Sequence, residues 1–161
     1  MSDFHQNGVI STLHNLSNRS LDEIESELRE YSKQAPIELI LPCLFSELEG
    51  AALKKIVTCL SEVKYLNHIT IGLDKANKSE FREAKKYFST LNQAHTVIWN
   101  DSPKMKALNN DFSKLGISPD QPGKGKNVWY CMGYTFSRNE AESIALHDCD
   151  ITTYTRELLA R

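Results

Sequence analysis

Apolar positions along this chain alternate between two rhythms. Leu21, Ile24, Leu28 and Tyr31 recur at helical spacing, which predicts a helix from Leu21 to about Lys33 with all four facing inward. Ser20 and Glu23 supply a capping box at its start, and Pro36 ends it. Ile37 to Leu41 then reads as a short buried strand stopped by Pro42. Ser46 to Glu49 has the form of a second capping box, leading into Leu53, Ile56, Val57 and Leu60 at helical spacing. A second strand is expected over His68–Leu73, ending at Asp74, and a helix over Ser79–Leu91 with Phe81, Ala84, Phe88 and Leu91 inward.

The same alternation continues to the end of the chain. Thr96–Trp99 reads as a third strand. Ser102-Pro103 starts a helix that Gly116 stops, because proline suits a first helical turn and glycine suits a helix exit. Residues 117–125 form a proline- and glycine-bearing loop, Lys126–Arg138 a helix, and Ser143–Leu146 a fourth strand. Residues 1–19 carry no strong period and read as a flexible arm, leaving 20–161 as one α/β domain. Strands alternating with helices over short connections predict a mostly parallel, three-layer Rossmann-like sheet with helices on both faces. Ligands of such sheets bind beyond the carboxyl ends of the strands. The residues expected there are Pro42-Cys43-Leu44, Asp74-Lys75, Asn100-Asp101 and Asp148-Cys149-Asp150.

Composition narrows the functional classes. The chain has 161 residues, 40% of them hydrophobic and 25% charged, with a formal net charge of -2. No bulk electrostatic attraction to nucleic acid follows from that balance, so any phosphate binding is local. Cys43, Cys59, Cys131 and Cys149 are widely separated, and Cys131, His147 and Cys149 are too loosely spaced to propose a zinc site. Reduced thiols, no leader-like segment over residues 1–18 and no transmembrane-length apolar run together predict a cytoplasmic protein.

Two clusters carry candidate chemistry. Asp148 and Asp150, on an extension of the fourth strand, would point to one side with Cys149 turned away. Paired carboxylates of this kind suit Mg²⁺ or Mn²⁺, which accept hard oxygen ligands alongside substrate phosphates. The plainer alternative is a turn, with Asp150 capping a helix that begins near Thr153. In Pro122-Gly123-Lys124-Gly125, glycines admit a close backbone approach, the following helix presents its N-terminus to an anion, and Lys124 adds a point charge. Its alternative is a basic surface turn; neither a Walker A loop nor a G-x-G-x-x-G fingerprint is present. Asp74, past a strand, either accepts from a base N–H or ribose hydroxyl or is simply a turn or cap residue. Glu47 reads equally as a first-turn acid, His147 contacts phosphate or only packs, and Trp129 is expected in the core.

Taken together, these motifs resemble the donor-binding half of a GT-A glycosyltransferase, most nearly the retaining glucosyl-3-phosphoglycerate and mannosyl-3-phosphoglycerate synthases. The likeness runs from about residue 37 to 161. It implies Pro42, Cys43 and Leu44 around the base of a nucleotide sugar such as UDP-glucose or GDP-mannose. Asp74 would lie near base or ribose, and Lys124, flanked by Gly123 and Gly125, by the diphosphate. Asp150 would be the direct metal ligand and Asp148 would face the ribose or sugar. Glu47 is set against an acidic residue of the family, although Phe45-Ser46 intervene.

Lys75-Ala76-Asn77 replaces the small serine- and glycine-rich turn of the family after the second strand. The acceptor half, which would take a small acceptor such as 3-phosphoglycerate, and a later metal-binding histidine are expected to be missing. The chain therefore reads as truncated, and an unfinished sheet edge would favour self-association. No residue is assigned as a general base. Two other functions fit parts of the pattern: a D-x-D-x-T phosphatase using Asp148 as nucleophile, and a non-catalytic nucleotide-binding or interaction domain.

Overall fold

Runs such as Leu39-Ile40-Leu41 need apolar cover on both faces of a sheet, and the fold supplies it with helices on each side. The computed structural model describes residues 19–117 and 123–161. The expected arm, apart from Arg19, lies outside the described residues, as does Pro122. In chain order the elements are α1 (Leu21–Tyr31), β1 (Ile37–Leu44), a 3₁₀ turn (Phe45–Glu49), α2 (Ala51–Ser61), β2 (Leu66–Asp74), α3 (Lys78–Phe88) and β3 (His95–Trp99). They continue with α4 (Pro103–Lys114), α5 (Lys124–Arg138), β4 (Ser143–Leu146) and α6 (Arg156–Ala160).

The four strands are parallel and ordered β3-β2-β1-β4. The chain steps outward from β1 to β3, then returns to lay β4 on the other side of β1. Strand order therefore reverses between β1 and β4, which is where a crevice opens in sheets of this kind. One face buries Leu39, Leu41 and Cys43 of β1 and Ile69, Ile71 and Leu73 of β2 in a cluster with Leu53, Ile56, Leu60, Ala84 and Phe88.

The other face receives α5 through polar contacts. Asn127 Nδ2 donates to the Gly72 carbonyl at 2.8 Å. Thr135 Oγ1 donates to Glu38 Oε1 at 2.7 Å, and Thr70 donates to the same oxygen. Gly72 is what lets the helix come so close. A Cβ there would lie 1.8 Å from Asn127 Oδ1 and 2.5 Å from Cys131 Sγ.

Several local expectations are corrected. Pro42 does not stop β1, which pairs with β2 through Leu44. The Ile40 carbonyl accepts from His147 N–H, so Pro42, two residues on, turns its missing donor toward the same side, beyond the end of β4. No ladder bond is lost there. Ser46–Glu49 does not cap a helix; those residues lie in the 3₁₀ turn, and α2 begins after Gly50. Tyr31 is 54% exposed, because α1 packs beside α6 and buries Glu25 instead, 3.4 Å from the Arg156 guanidinium. Helix α5 starts at Lys124, two residues before the expected Lys126.

The Gly72 contact gives a stability prediction. Gly72→Ala forces α5 off the sheet and should lower unfolding free energy by about 2 kcal/mol or more, as overpacking does. Gly133→Ala, where a Cβ meets nothing within 4 Å, should be neutral or stabilising by up to about 1 kcal/mol. Urea denaturation of both variants measures the contrast.

Candidate functional site

Sequence placed the binding rim at four strand ends, and the fold draws three of them into one cleft of about 200 Å³. Asn100 and Asp101, after β3, do not line it, and Asp101 instead accepts the Ala76 N–H at 3.0 Å. Pro42, Cys43 and Leu44 enter the cleft from β1, Glu47 from the 3₁₀ turn and Asp74 from β2. Gly123 and Lys124 close it from the start of α5, with Asp148 and Asp150 contributed after β4. Gly125 does not line it, and a Cβ at that position would meet open space.

Gly123 adopts φ 145°, a conformation side chains rarely tolerate, so the chain enters α5 through a turn suited to glycine. That turn puts Lys124 at the first helical position, where its ammonium pairs with Asp148 Oδ1. The two side chains are 53% and 43% exposed. Solvent-exposed pairs contribute about 0–1 kcal/mol, so this one adds little to folding and exchanges readily for another ion. The helix N-terminus adds its own partial positive charge at the same spot.

Strand β4 ends at Leu146, so Asp148 and Asp150 lie in a turn and the strand-alternation argument does not apply to them. Both acids nevertheless reach the cleft, and so does Cys149, which is only 2% exposed. Asp150 is exposed and makes no hydrogen bond or ion pair among the described residues. It caps no helix, since Thr155 occupies the N-cap of α6. Glu47 Oε2 accepts the Leu44 N–H at 2.7 Å and so fastens the 3₁₀ turn to the end of β1.

Burial raises the Asp74 carboxyl above its ordinary range, with the charge of Asp101 adding to it and Asn100 and Lys126 opposing. The Cys43 thiol is pushed strongly upward by the neighbouring Cys149 thiol and by burial. His147 turns from the cleft and sets Nδ1 2.9 Å from the Tyr154 hydroxyl; burial lowers its pKa against the pull of Asp148.

Lys75 and Cys149 line the cleft as strand-end residues, whereas Asn127 was not expected there. Lys75 leaves β2 at φ 54°, and Asn127 follows Lys124 by one helical turn, a spacing that sequence does show. Trp129 is not core. It is 42% exposed and packs edge-on against Phe112, 5.1 Å between centroids. Both line a larger groove of about 490 Å³ on α4 and α5, which contains no charged side chain and none of the strand-end residues.

Asp148 also follows the last strand in chain order, at the sheet edge, whereas a D-x-D-x-T phosphatase carries its nucleophile on the first strand. No helix among the described residues is long and apolar enough to cross a membrane.

Comparison with known proteins agrees with the resemblance drawn from the motifs. The chain is 48% identical over all 161 residues to a glucosyl-3-phosphoglycerate synthase of Persephonella marina, covering 40% of that protein. It is 34% identical over 160 residues to the glucosyl-3-phosphoglycerate synthase of Methanococcoides burtonii, covering 39% of it. The chain thus spans about two fifths of the length of these curated relatives. No family model matches it. No solved structure matches it either.

Asp74 supplies a pH prediction. A carboxyl whose folded pKa is raised binds its proton more tightly in the native state, so stability falls as pH rises from the ordinary carboxylate value through the raised one. Asp74→Asn should therefore raise the thermal midpoint at neutral pH. The gain should vanish below about pH 4, where the native and unfolded carboxyls are both protonated. Thermal scans of both proteins across that range measure it.

Proposed function

We propose that this chain is the donor-binding portion of a nucleotide-sugar-dependent glycosyltransferase acting on a small acceptor such as 3-phosphoglycerate. One observation carries the reading: Lys124, at the head of α5, and the Asp148–Asp150 turn meet in a single cleft at the strand-order reversal. The relatives' names supply the substrate class, glucosyl donor and phosphoglycerate acceptor.

The donor set fits a hard divalent cation. Asp148 and Asp150 offer carboxylate oxygens only, at least one of them solvent-facing and unpartnered among the described residues. Mg²⁺ or Mn²⁺ held by Asp150, with Asp148 beside it, would supply positive charge against the donor diphosphate. Sugar transfer breaks the bond between the anomeric carbon and the diphosphate oxygen, and negative charge grows on the departing nucleotide. Lys124 meets that charge after leaving Asp148, a cheap exchange for an exposed pair. Pro42 to Leu44 and Asp74 border the part of the cleft assigned to the nucleoside, and Glu47 holds the Leu44 amide in place. No side chain of the cleft is assigned as a general base.

Calorimetric titration with UDP-glucose and GDP-mannose, with and without Mn²⁺, tests this reading. One donor should bind, and Mn²⁺ should tighten it about tenfold or more, consistent with charge-assisted contacts of about 1.5–3 kcal/mol. Asp150→Ala should abolish that metal enhancement. Binding that ignores Mn²⁺ in the unaltered protein would instead favour a non-catalytic nucleotide-binding domain. Lys124→Ala should weaken donor binding by about tenfold while leaving the thermal midpoint nearly unchanged, since the ion pair it removes contributes about 1 kcal/mol at most.

A further inference from the structure

The inner wall of the cleft holds a second, chemically different set of donors. Cys43 comes from the end of β1, Glu47 from the 3₁₀ turn and Cys149 from the turn after β4. The two sulfurs and one carboxylate oxygen all lie within 4.8 Å of one another. We propose that Cys43, Glu47 and Cys149 form a binding site for a thiophilic divalent cation such as Zn²⁺, separate from the oxygen-only pair Asp148 and Asp150.

Geometry supports a tetrahedral ion. Zn–S bonds of about 2.3 Å imply sulfur–sulfur edges of about 3.8 Å, so closure from the present spacing takes about 1 Å or less. Cys43 and Cys149 are 1% and 2% exposed, yet both residues line the cleft, which gives the ion a way in. The Leu44 N–H donates to Glu47 Oε2 at 2.7 Å. This is the kind of outer hydrogen bond that orients a ligating carboxylate. Three protein ligands leave a fourth position for water or another oxygen donor. Thiolates select Zn²⁺ over Mg²⁺, whereas carboxylates alone do not, so the two sites sort metals by softness. Occupancy would tie the end of β1 to the loop after β4 and so fix the width of the cleft. The sequence hides the site because Cys149 lies about a hundred residues from Cys43 and Glu47, and only the parallel crossover joins them.

Cd²⁺ titration of the reduced protein under a phosphine reductant tests the proposal, with no nucleotide present, so its outcome is independent of the donor reading. The expected result is one equivalent of Cd²⁺ bound with a thiolate-to-metal ultraviolet charge-transfer band that excess Mg²⁺ does not displace. Cys43→Ser and Cys149→Ser should each abolish the band, and Glu47→Gln should weaken Cd²⁺ binding about tenfold. Far-ultraviolet circular dichroism checks each fold. If a serine variant fails to fold, Glu47→Gln decides, and unchanged Cd²⁺ affinity in it overturns the site. Absence of the band, displacement by Mg²⁺, or a band persisting in folded Cys43→Ser also overturns it.

Discussion

The close seating of α5 on β2 at Gly72 is the contact on which the arrangement of the cleft depends. Asn127 fills the space that a side chain at Gly72 would take and donates to the Gly72 carbonyl. One turn earlier on the same helix is Lys124. The distance between the lysine and the loop after β4 is therefore set by a backbone approach that only glycine permits. Further along α5, Thr135 and Thr70 satisfy one oxygen of the buried Glu38, which fixes the helix against the sheet at a second point.

That rigid scaffold carries a site whose charges are loosely committed. The Lys124–Asp148 pair is half exposed, and its partners are free to exchange at small cost. Asp74 is the opposite case. Its carboxyl is partly buried near Asp101, and burial holds its pKa above the ordinary range. A stable frame with weakly held or strained charges at one rim is the pattern expected where a protein sacrifices local stability for binding. The larger apolar groove on α4 and α5 shows none of this, so volume alone does not single out the cleft proposed for the donor.

Much of the frame was legible from local pattern. The fourth strand was read with the bounds it has, and the apolar faces of α2 and α3 were read residue by residue. What failed was governed by tertiary context. Pro42 looked like a strand stop because the sequence does not show that β4 ends short of it. Tyr31 looked buried because its period is helical, but α1 rests on α6, where Glu25 finds Arg156. In the cleft, most of the residues flagged from sequence are present at the rim; Gly125, His147 and the Asn100-Asp101 pair are not. Asn127 was missed because its role is a packing contact with a glycine far away in sequence. Cys149 was read as the spacer between two acids, although the fold places it against Cys43.

Paramagnetic broadening of amide NMR signals, on adding Mn²⁺ together with a nucleoside diphosphate, tests the central claim most directly. The claim is that Lys124 and the Asp148–Asp150 turn share one diphosphate–metal site. Broadening should be strongest at Asp148, Cys149 and Asp150 and extend to Gly123 and Lys124, with little effect at Glu30, beside the start of β2 at the opposite end of the sheet. Broadening centred on Glu30, or spread evenly over the exposed carboxylates, would contradict it.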